Sequence, residues 1–216
     1  GRSARILDYG CGRGVHVEAY REAGYDAWGC DIVIERAGGF LREMDTRDFR
    51  IPFEDGSFDF VYSNSVLEHV SDQRIAAAEL ARVMKPDGVG LHNFPSKWRL
   101  VEPHVYVPLA TVFRPWWWLR LWAGLGVRNS HQVGRAASDV ARLNQEYLHT
   151  CTNYQTKVGM AGFFRGLFRD VRNIELIMLR HESGRAHKYV YPVARGAVSP
   201  YQIYGVLHTR MLFVRK

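Results

Sequence analysis

Cysteine is scarce in this sequence, and the few cysteines form no recognisable pattern. The 216 residues include 3 cysteines, Cys11, Cys30 and Cys151, and no two of them make a CxxC pair. An odd, sparse set of this kind gives no cysteine-based metal site and indicates a reduced, intracellular protein. We therefore expect a cytoplasmic location.

Internal repeats and low-complexity tracts are also absent from the sequence. Residues 1–4 lead almost directly into an apolar run, so we expect no signal peptide here. Hydrophobic residues make up 47% of the chain and charged residues 24%, as in a folded soluble domain. We expect one domain over residues 1–216, with a core of substantial size.

The chain carries a net charge of +7, because 29 Lys and Arg residues outnumber 22 Asp and Glu residues. A positive excess can attract nucleic acid, an acidic small molecule or an anionic membrane surface. It can equally be a solvated surface without a partner. The charge alone therefore leaves the partner open.

Strand and helix patterns alternate through the first 94 residues. Short apolar runs predict strands at residues 5–8, 26–32, 58–63 and 89–94. This alternation predicts a doubly wound α/β sheet with parallel strands. Residues 95–157 break the pattern, and two further strands are expected near residues 172–179 and 206–214. A helix is expected before them, with an apolar face made by Phe164, Leu167, Phe168 and Val171.

The first predicted strand ends in DYGCGRG, in which Asp8 precedes glycines at every second position. Glycine lets the backbone turn sharply and lets a ligand approach it, while the next helix offers free N–H groups. The loop departs from the dinucleotide fingerprint GxGxxG, because Val15 stands where the third glycine belongs. Asp31 ends the second strand, where a carboxylate can hold both ribose hydroxyls of a nucleoside or can cap a helix. The sequence therefore predicts a nucleoside-containing cofactor across the first two strand ends.

Four segments resemble class I S-adenosylmethionine-dependent methyltransferases of the type 11 group. They are LDYGCGRG, WGCDI, IPFEDGSFDFVYSNSVLEHV and ELARVMKPDG, and together they span roughly residues 5–94. Their combination is highly specific. The resemblance implies a Rossmann-like, mainly parallel seven-stranded sheet with a reversed C-terminal hairpin. It also implies that residues 95–157 are inserted as a helical lid.

The resemblance further implies the reaction and its cofactor. A methyl group would pass from S-adenosylmethionine, leaving S-adenosylhomocysteine, to O or N of a small molecule such as a sugar, lipid-linked or secondary metabolite. NPPY or DPPY after the fourth strand would indicate methylation of a nucleic-acid base, but Asn64 is followed by Ser-Val-Leu. We therefore expect a small-molecule substrate and no nucleic acid. The alternatives are an RNA or protein methyltransferase, a non-catalytic cofactor-binding module and a membrane-surface module.

By position, the resemblance assigns a role to each end of the cofactor. The glycines would pass beneath its methionine part, Asp8 would orient its amino group and Asp31 would hold the ribose. Near the adenine, the window DTRDFRIPF favours Asp48 over Asp45 as the acid, although Asp48 can instead be a surface turn residue. Phe49 is either an adenine wall or part of the core. The implied cofactor-binding set is Asp8, Gly10, Cys11, Gly12, Gly14, Asp31, Ile32, Asp48, Phe49, Ser63 and Asn64.

Two histidines, His104 and His69, are the candidate catalytic residues. His104 follows the fifth predicted strand, at the edge where open α/β sheets bind substrates, and is the preferred general base with Glu102 and Tyr106 beside it. His69, in VLEHV, can instead be a structural residue at a helix start. Some relatives that use a divalent metal have ExxEH here. Because Ser65 replaces the first glutamate, we expect no metal.

Residues 114–128, RPWWWLRLWAGLGVR, hold four of the 6 tryptophans. The segment is too short and too charged to span a bilayer. It suits a lid over the substrate, a dimer surface or a helix in peripheral contact with a membrane. We favour the lid, on a monomer or a homodimer. The predicted apolar face of its helix is Trp118, Leu121, Trp122 and Leu125.

Overall fold

Five strands from the first half of the chain and two from the second half pair into one sheet. The computed structural model describes residues 4–34, 39–175, 177 and 209–216. The strands are β1 (Arg5–Tyr9), β2 (Asp26–Asp31), β3 (Leu41–Glu43), β4 (Phe58–Asn64), β5 (Met84–Pro95), β6 (Asp170–Asn173) and β7 (Thr209–Arg215). Within the described residues the sheet has seven strands in the order β3-β2-β1-β4-β5-β7-β6. Strand β7 runs opposite to the other six strands, pairing antiparallel with β5 on one side and β6 on the other. This arrangement confirms the predicted Rossmann-like fold with a reversed C-terminal hairpin.

Helices connect and cover the strands. They are α1 (Val15–Glu22), α2 (Gln73–Val83), α3 (Trp116–Gly124), α4 (Ala137–Thr150) and α5 (Lys157–Phe164), with a 3₁₀ turn at Ser130–Gln132. The start of α2 shows how local sequence fixes these bounds: the Asp72 side chain accepts a 2.8 Å hydrogen bond from the backbone N–H of Arg74. The α2 face that meets the main core consists of small and branched apolar residues, Ala76, Ala77, Leu80 and Val83.

The predicted helix through Val171 is wrong. α5 ends at Phe164, and the chain turns at Gly166, whose φ of 93° lies in the left-handed region that favours glycine. The chain then enters β6 at Asp170, so the apolar residues of this segment are divided between a helix end, a turn and a strand. Parts of the two predicted C-terminal strands, residues 176, 178–179 and 206–208, lie outside the described residues.

Residues 95–157 form a second, smaller packing unit beside the sheet. α3 packs against α4 over a cluster of buried residues consisting of Val105, Val107, Ala110, Leu119, Ala141 and Leu148. The inward face of α3 is rotated from the predicted one, because Leu119 and Ala123 are fully buried while Leu121 and Leu125 are exposed. No helix in the described ranges is long and apolar enough to cross a membrane. The role of this region as a lid remains a prediction.

Candidate active site

The glycine loop after β1 packs closely against the loop that connects β4 to α2. The backbone N–H groups of Gly10 and Cys11 both donate to the carbonyl of Cys30, at 2.8 and 3.1 Å. Gly10 has a φ of 75°, and a Cβ there would overlap the Val66 side chain. Both constraints require glycine at this position. The loop therefore presents bare backbone to the space between β1 and β4.

Asp31 closes the other side of this loop. One carboxylate oxygen accepts a 2.7 Å hydrogen bond from the N–H of Gly12, and the other accepts a 2.7 Å bond from the N–H of Ile32. These two bonds fix the carboxylate at the carboxyl end of β2. Oδ1 also accepts a long, 3.5 Å hydrogen bond from the N–H of Val33. Because an ionised carboxylate offers about four acceptor sites, the group keeps capacity for further donors such as hydroxyls.

A cavity of about 260 Å³ opens at the carboxyl ends of β1, β2 and β4. Its lining comprises Tyr9, Gly10, Asp31, Ile32, Met44, Phe49, Ser65, Val66, His69 and Val70. Four residues of the predicted cofactor set and one predicted catalytic histidine are therefore brought together. Sequence reasoning missed Met44, Val66 and Val70, since a single apolar residue outside a motif carries no signal for a binding wall.

Asp8 lies beneath the loop and is almost fully buried. Burial raises the pKa of its carboxyl to about 6, and the nearby His16 acts in the opposite direction. Its Oδ2 lies 3.5 Å from Nδ1 of His16 and makes no hydrogen bond to any residue that the structure describes. Asp8 is thus an acid with spare bonding capacity close to the cavity.

The remaining members of the predicted cofactor set lie near the cavity but not in its described lining. Ser63 is fully buried, and its hydroxyl lies 2.8 Å from Nδ1 of His92. The side-chain oxygen Oδ1 of Asn64 accepts a 2.7 Å hydrogen bond from the side-chain amide of Asn93. Asp48 accepts a 2.9 Å bond from the N–H of Arg50 in an exposed turn. The roles of these residues, and those of Cys11, Gly12 and Gly14, remain predictions.

His69 joins the cavity to the 95–157 region. Its Nδ1 lies 2.7 Å from the carbonyl oxygen of Cys151, which can only accept, so Nδ1 carries the proton. Its ring meets that of His104 edge to face, with the centroids 4.8 Å apart. The tautomer of His69 therefore leaves Nε2 as the atom with a free lone pair.

His104 is oriented by a buried acid, Glu102. The Nδ1–H of His104 donates to Oε1 of Glu102 at 2.9 Å, and the hydroxyl of Tyr154 donates to the same oxygen. The backbone N–H groups of His104 and Val105 donate to Oε2. Burial raises the pKa of Glu102, but these hydrogen bonds outweigh it and hold the pKa below its usual value. Glu102 is thus an ionised anchor that fixes the Nδ1 side of the His104 ring.

Glu68 completes this group of side chains. Its side chain is 1% exposed, and neither carboxylate oxygen has a hydrogen-bond partner among the described residues. The nearer oxygen, Oε1, lies 3.9 Å from Nε2 of His69. Burial raises the pKa of this carboxyl to about 7. The sequence motif VLEHV marked the position of Glu68 but not its burial or its proximity to His104.

Comparison with known proteins agrees with this geometry. Residues 7–91 match the type 11 methyltransferase family, described as a methyltransferase domain. An uncharacterized methyltransferase of Bacillus subtilis, YcgJ, is 34% identical over 95 residues, which is 39% of this chain and 38% of that protein. A ubiquinone biosynthesis O-methyltransferase of Bordetella avium is 33% identical over 95 residues, 39% of each chain. The chain thus spans about two fifths of the length of these curated relatives.

A solved structure extends the likeness to the whole chain. The crystal structure of a SAM-dependent methyltransferase from Archaeoglobus fulgidus covers 99% of this chain and 86% of that one, with a TM-score of 0.56 at 18% identity. At that identity the likeness concerns the fold. These matches confirm the methyltransferase resemblance and the fold class that the sequence predicted.

Proposed function

We propose that this chain, whose residues 7–91 carry a methyltransferase domain, transfers a methyl group from S-adenosylmethionine to O or N of a small molecule. The observation that carries the proposal is one cavity whose lining includes both Asp31 and His69. A nucleoside held by Asp31 would direct its sulfonium end toward His69. His104 lies directly behind that histidine.

Each part of the cofactor would meet suitable chemistry in this cavity. Asp31 offers acceptor oxygens to the two ribose hydroxyls. The methionine part would lie over Gly10, where the missing side chain lets it approach the backbone. Asp8 would pair with the ammonium group, which favours the ionised carboxylate. The apolar walls for the adenine ring would be Ile32, Met44 and Phe49.

The acceptor would bind at the opposite end of the cavity, in front of His69 and His104. The methyl group of a sulfonium is already activated, so a neutral amine needs mainly in-line placement at close range. A hydroxyl must also lose its proton, and a positioned side chain accelerates this step. The Nδ1 hydrogen bonds of both histidines support a role at this step, since Nε2 carries the lone pair in the neutral form of each ring.

A small acceptor is favoured by the surroundings of these histidines. The ring of Tyr147 lies 5.6 Å from that of His104 and 6.5 Å from that of His69. Tyr154 is buried behind Glu102. The relative from Bordetella avium, named as an O-methyltransferase of ubiquinone biosynthesis, supports an oxygen acceptor on a small ring molecule.

Transfer of a labelled methyl group tests the proposal. The full chain would be incubated with methyl-labelled S-adenosylmethionine and a panel of small phenols, sugars and amines, with total RNA and a protein extract as parallel acceptors. We expect label in a small molecule, and loss of that label in Asp31→Ala. Label in RNA or protein alone would instead favour a macromolecular substrate.

A further inference from the structure

Three potential metal ligands from two regions of the chain meet at the acceptor end of the cavity. They are Glu68 and His69, which follow β4, and His104, which lies in the loop before α3. One ligand atom from each lies within 4.8 Å of the other two. The sequence predicted no metal because Ser65 replaces the first acid of ExxEH. That reasoning considered only neighbours in sequence, and His104 comes from elsewhere in the chain.

The hydrogen bonds of the two histidines match those of metal-binding imidazoles. A histidine that binds a metal through one nitrogen almost always donates its other ring N–H to a carboxylate or a backbone carbonyl. His69 donates to the carbonyl of Cys151 at 2.7 Å, and His104 donates to the carboxylate of Glu102 at 2.9 Å. In the neutral form of each ring, Nε2 therefore carries the lone pair that can bind a metal.

Glu68 supplies an independent observation. A carboxylate that is 1% exposed has lost the hydration of its charge. Hydrogen bonds or a bound cation normally compensate for the free energy of that lost hydration. Both oxygens of Glu68 lack a hydrogen bond to any described residue, although His69 and His104 are its neighbours. A cation between the three side chains would satisfy both oxygens.

We propose that Glu68, His69 and His104 bind one divalent transition-metal cation. Two imidazole nitrogens and one carboxylate are a common set for Zn²⁺ and related ions, whereas Mg²⁺ prefers oxygen ligands alone. Ligand bonds of about 2.0–2.2 Å would draw the three atoms inward. His104 can make this movement because its side chain is 28% exposed, whereas Glu68 is fixed in the core.

The position of this site gives the cation a role that rests on the proposed function. Three protein ligands leave at least one position open, where an acceptor hydroxyl could bind beside the methyl end of the cofactor. A bound cation lowers the pKa of such a hydroxyl. The proton then leaves to water, the oxygen bonds to the methyl carbon, and the carbon–sulfur electron pair stays on the sulfur of S-adenosylhomocysteine.

Calorimetric titration of the untagged 216-residue chain with Zn²⁺ tests the site without any substrate. The background is Cys151→Ser, because Cys151 is an exposed thiol whose backbone carbonyl contacts His69, and a thiol can bind Zn²⁺ by itself. We expect one Zn²⁺ per chain, no comparable binding of Mg²⁺, and affinity lowered more than about 10-fold by Glu68→Gln and by His104→Ala. The exposed histidine at the end of α4 provides the control His149→Ala, which should bind Zn²⁺ normally.

Two results would overturn the site. One is the absence of stoichiometric Zn²⁺ binding, and the other is that Glu68→Gln and His104→Ala bind Zn²⁺ with the same affinity as the background chain. Thermal unfolding of each sample shows whether the variant is folded, and His69→Ala replaces either variant that is not. Titration of the unsubstituted chain with S-adenosylhomocysteine separates the two proposals. Zn²⁺ binding without S-adenosylhomocysteine binding refutes the proposed function alone, and the reverse refutes the metal site alone.

Discussion

The two regions that build the candidate site differ in how they are stabilised. Residues 5–94 form five adjacent strands of the sheet, and the ligand-facing groups there are largely backbone and strand-end positions. Residues 95–157 have their own small core, and the groups they contribute are side chains linked to one another, as in the hydrogen bonds among Glu102, His104 and Tyr154.

This difference separates cofactor binding from acceptor chemistry. A cofactor shared by many enzymes can be held by a fixed loop and a strand-end acid, because its shape never changes. An acceptor specific to one enzyme needs side chains that can vary without disturbing the sheet. We therefore expect changes in the glycine loop and at Asp31 to affect cofactor affinity, and changes in the second region to affect turnover.

The largest effect is expected from the second region. His104→Ala removes a group that serves the acceptor, either as a base or as a cation ligand, and should lower turnover about 10²–10⁴-fold. Affinity for S-adenosylhomocysteine should be unchanged, because His104 is not part of the described cavity lining. Steady-state kinetics and calorimetry give the two values, with His149→Ala as the control. A matching loss of cofactor affinity would remove the distinction between the regions.

A glycine pair within the first region offers the next test. Gly10→Ala would combine a left-handed φ of 75° with a Cβ that overlaps Val66, and should cost about 2–4 kcal/mol in stability. Gly12→Ala has a φ of 51° but open space around its Cβ, so it should cost only about 1–2 kcal/mol. Denaturant unfolding measures both values. Equal costs would show that the close approach to Val66 is unimportant.

Asp31 tests the ribose assignment. Asp31→Ala should weaken S-adenosylhomocysteine binding by about 1–3 kcal/mol, the cost of losing hydrogen bonds to a charged group. The neighbouring exposed acid Glu43, which pairs with Asp31 in the register of β2 and β3, gives the control Glu43→Ala. Wild-type affinity in Asp31→Ala, measured by calorimetry, would refute the assignment.

The pH dependence of cofactor binding tests Asp8. Its folded-state pKa of about 6 lies above the ordinary value of 3.8, so the stability linked to this group is present at low pH and is lost as the pH rises through 6. A ligand ammonium would pair with the ionised form. S-adenosylhomocysteine should therefore raise the Tm more at pH 7.5 than at pH 5. The nearby His16 lowers the pKa of Asp8 and Asp31 raises it, so both also shape this pH dependence. Asp8→Asn should remove most of this difference.

The smallest effect concerns the exposed apolar face of α3. Trp116, Trp117 and Leu121 are each between 45% and 58% exposed, beside Arg120. Interfacial helices carry such residues, but the opposite face of α3 already packs against α4. We expect the chain to stay in the supernatant when anionic vesicles are sedimented. If the chain instead pellets with the vesicles and Trp117→Ala abolishes this, the face binds a membrane.

The sequence predicted the parts of the molecule that depend on local pattern. Strands β1, β2, β4 and β5, the turn at Gly10 and the acid at Asp31 follow from periodicity, glycine spacing and the four motif segments, whereas β3 lies where no strand was predicted. Ile32 lines the cavity as expected from its position after Asp31. Phe49, predicted as either an adenine wall or part of the core, lines the cavity and also packs against the main core. The helical face of α3 was predicted less well, since packing against α4 rather than periodicity decides which of its many apolar residues are buried.

Long-range side-chain contacts could not be predicted. Glu102 binds Tyr154, and His69 binds the carbonyl of Cys151, each across a separation that no motif spans. The buried state of Glu68 likewise depends on the whole fold. The acceptor end of the site is therefore visible only once the two regions are placed side by side.

The central claim is that the DYGCGRG loop and Asp31 hold a methyl donor. Calorimetric titration of the chain with S-adenosylhomocysteine, with NAD as the control, tests it most directly. We predict one site of micromolar affinity for S-adenosylhomocysteine and no binding of NAD. Binding of NAD, or of neither compound, would contradict the claim.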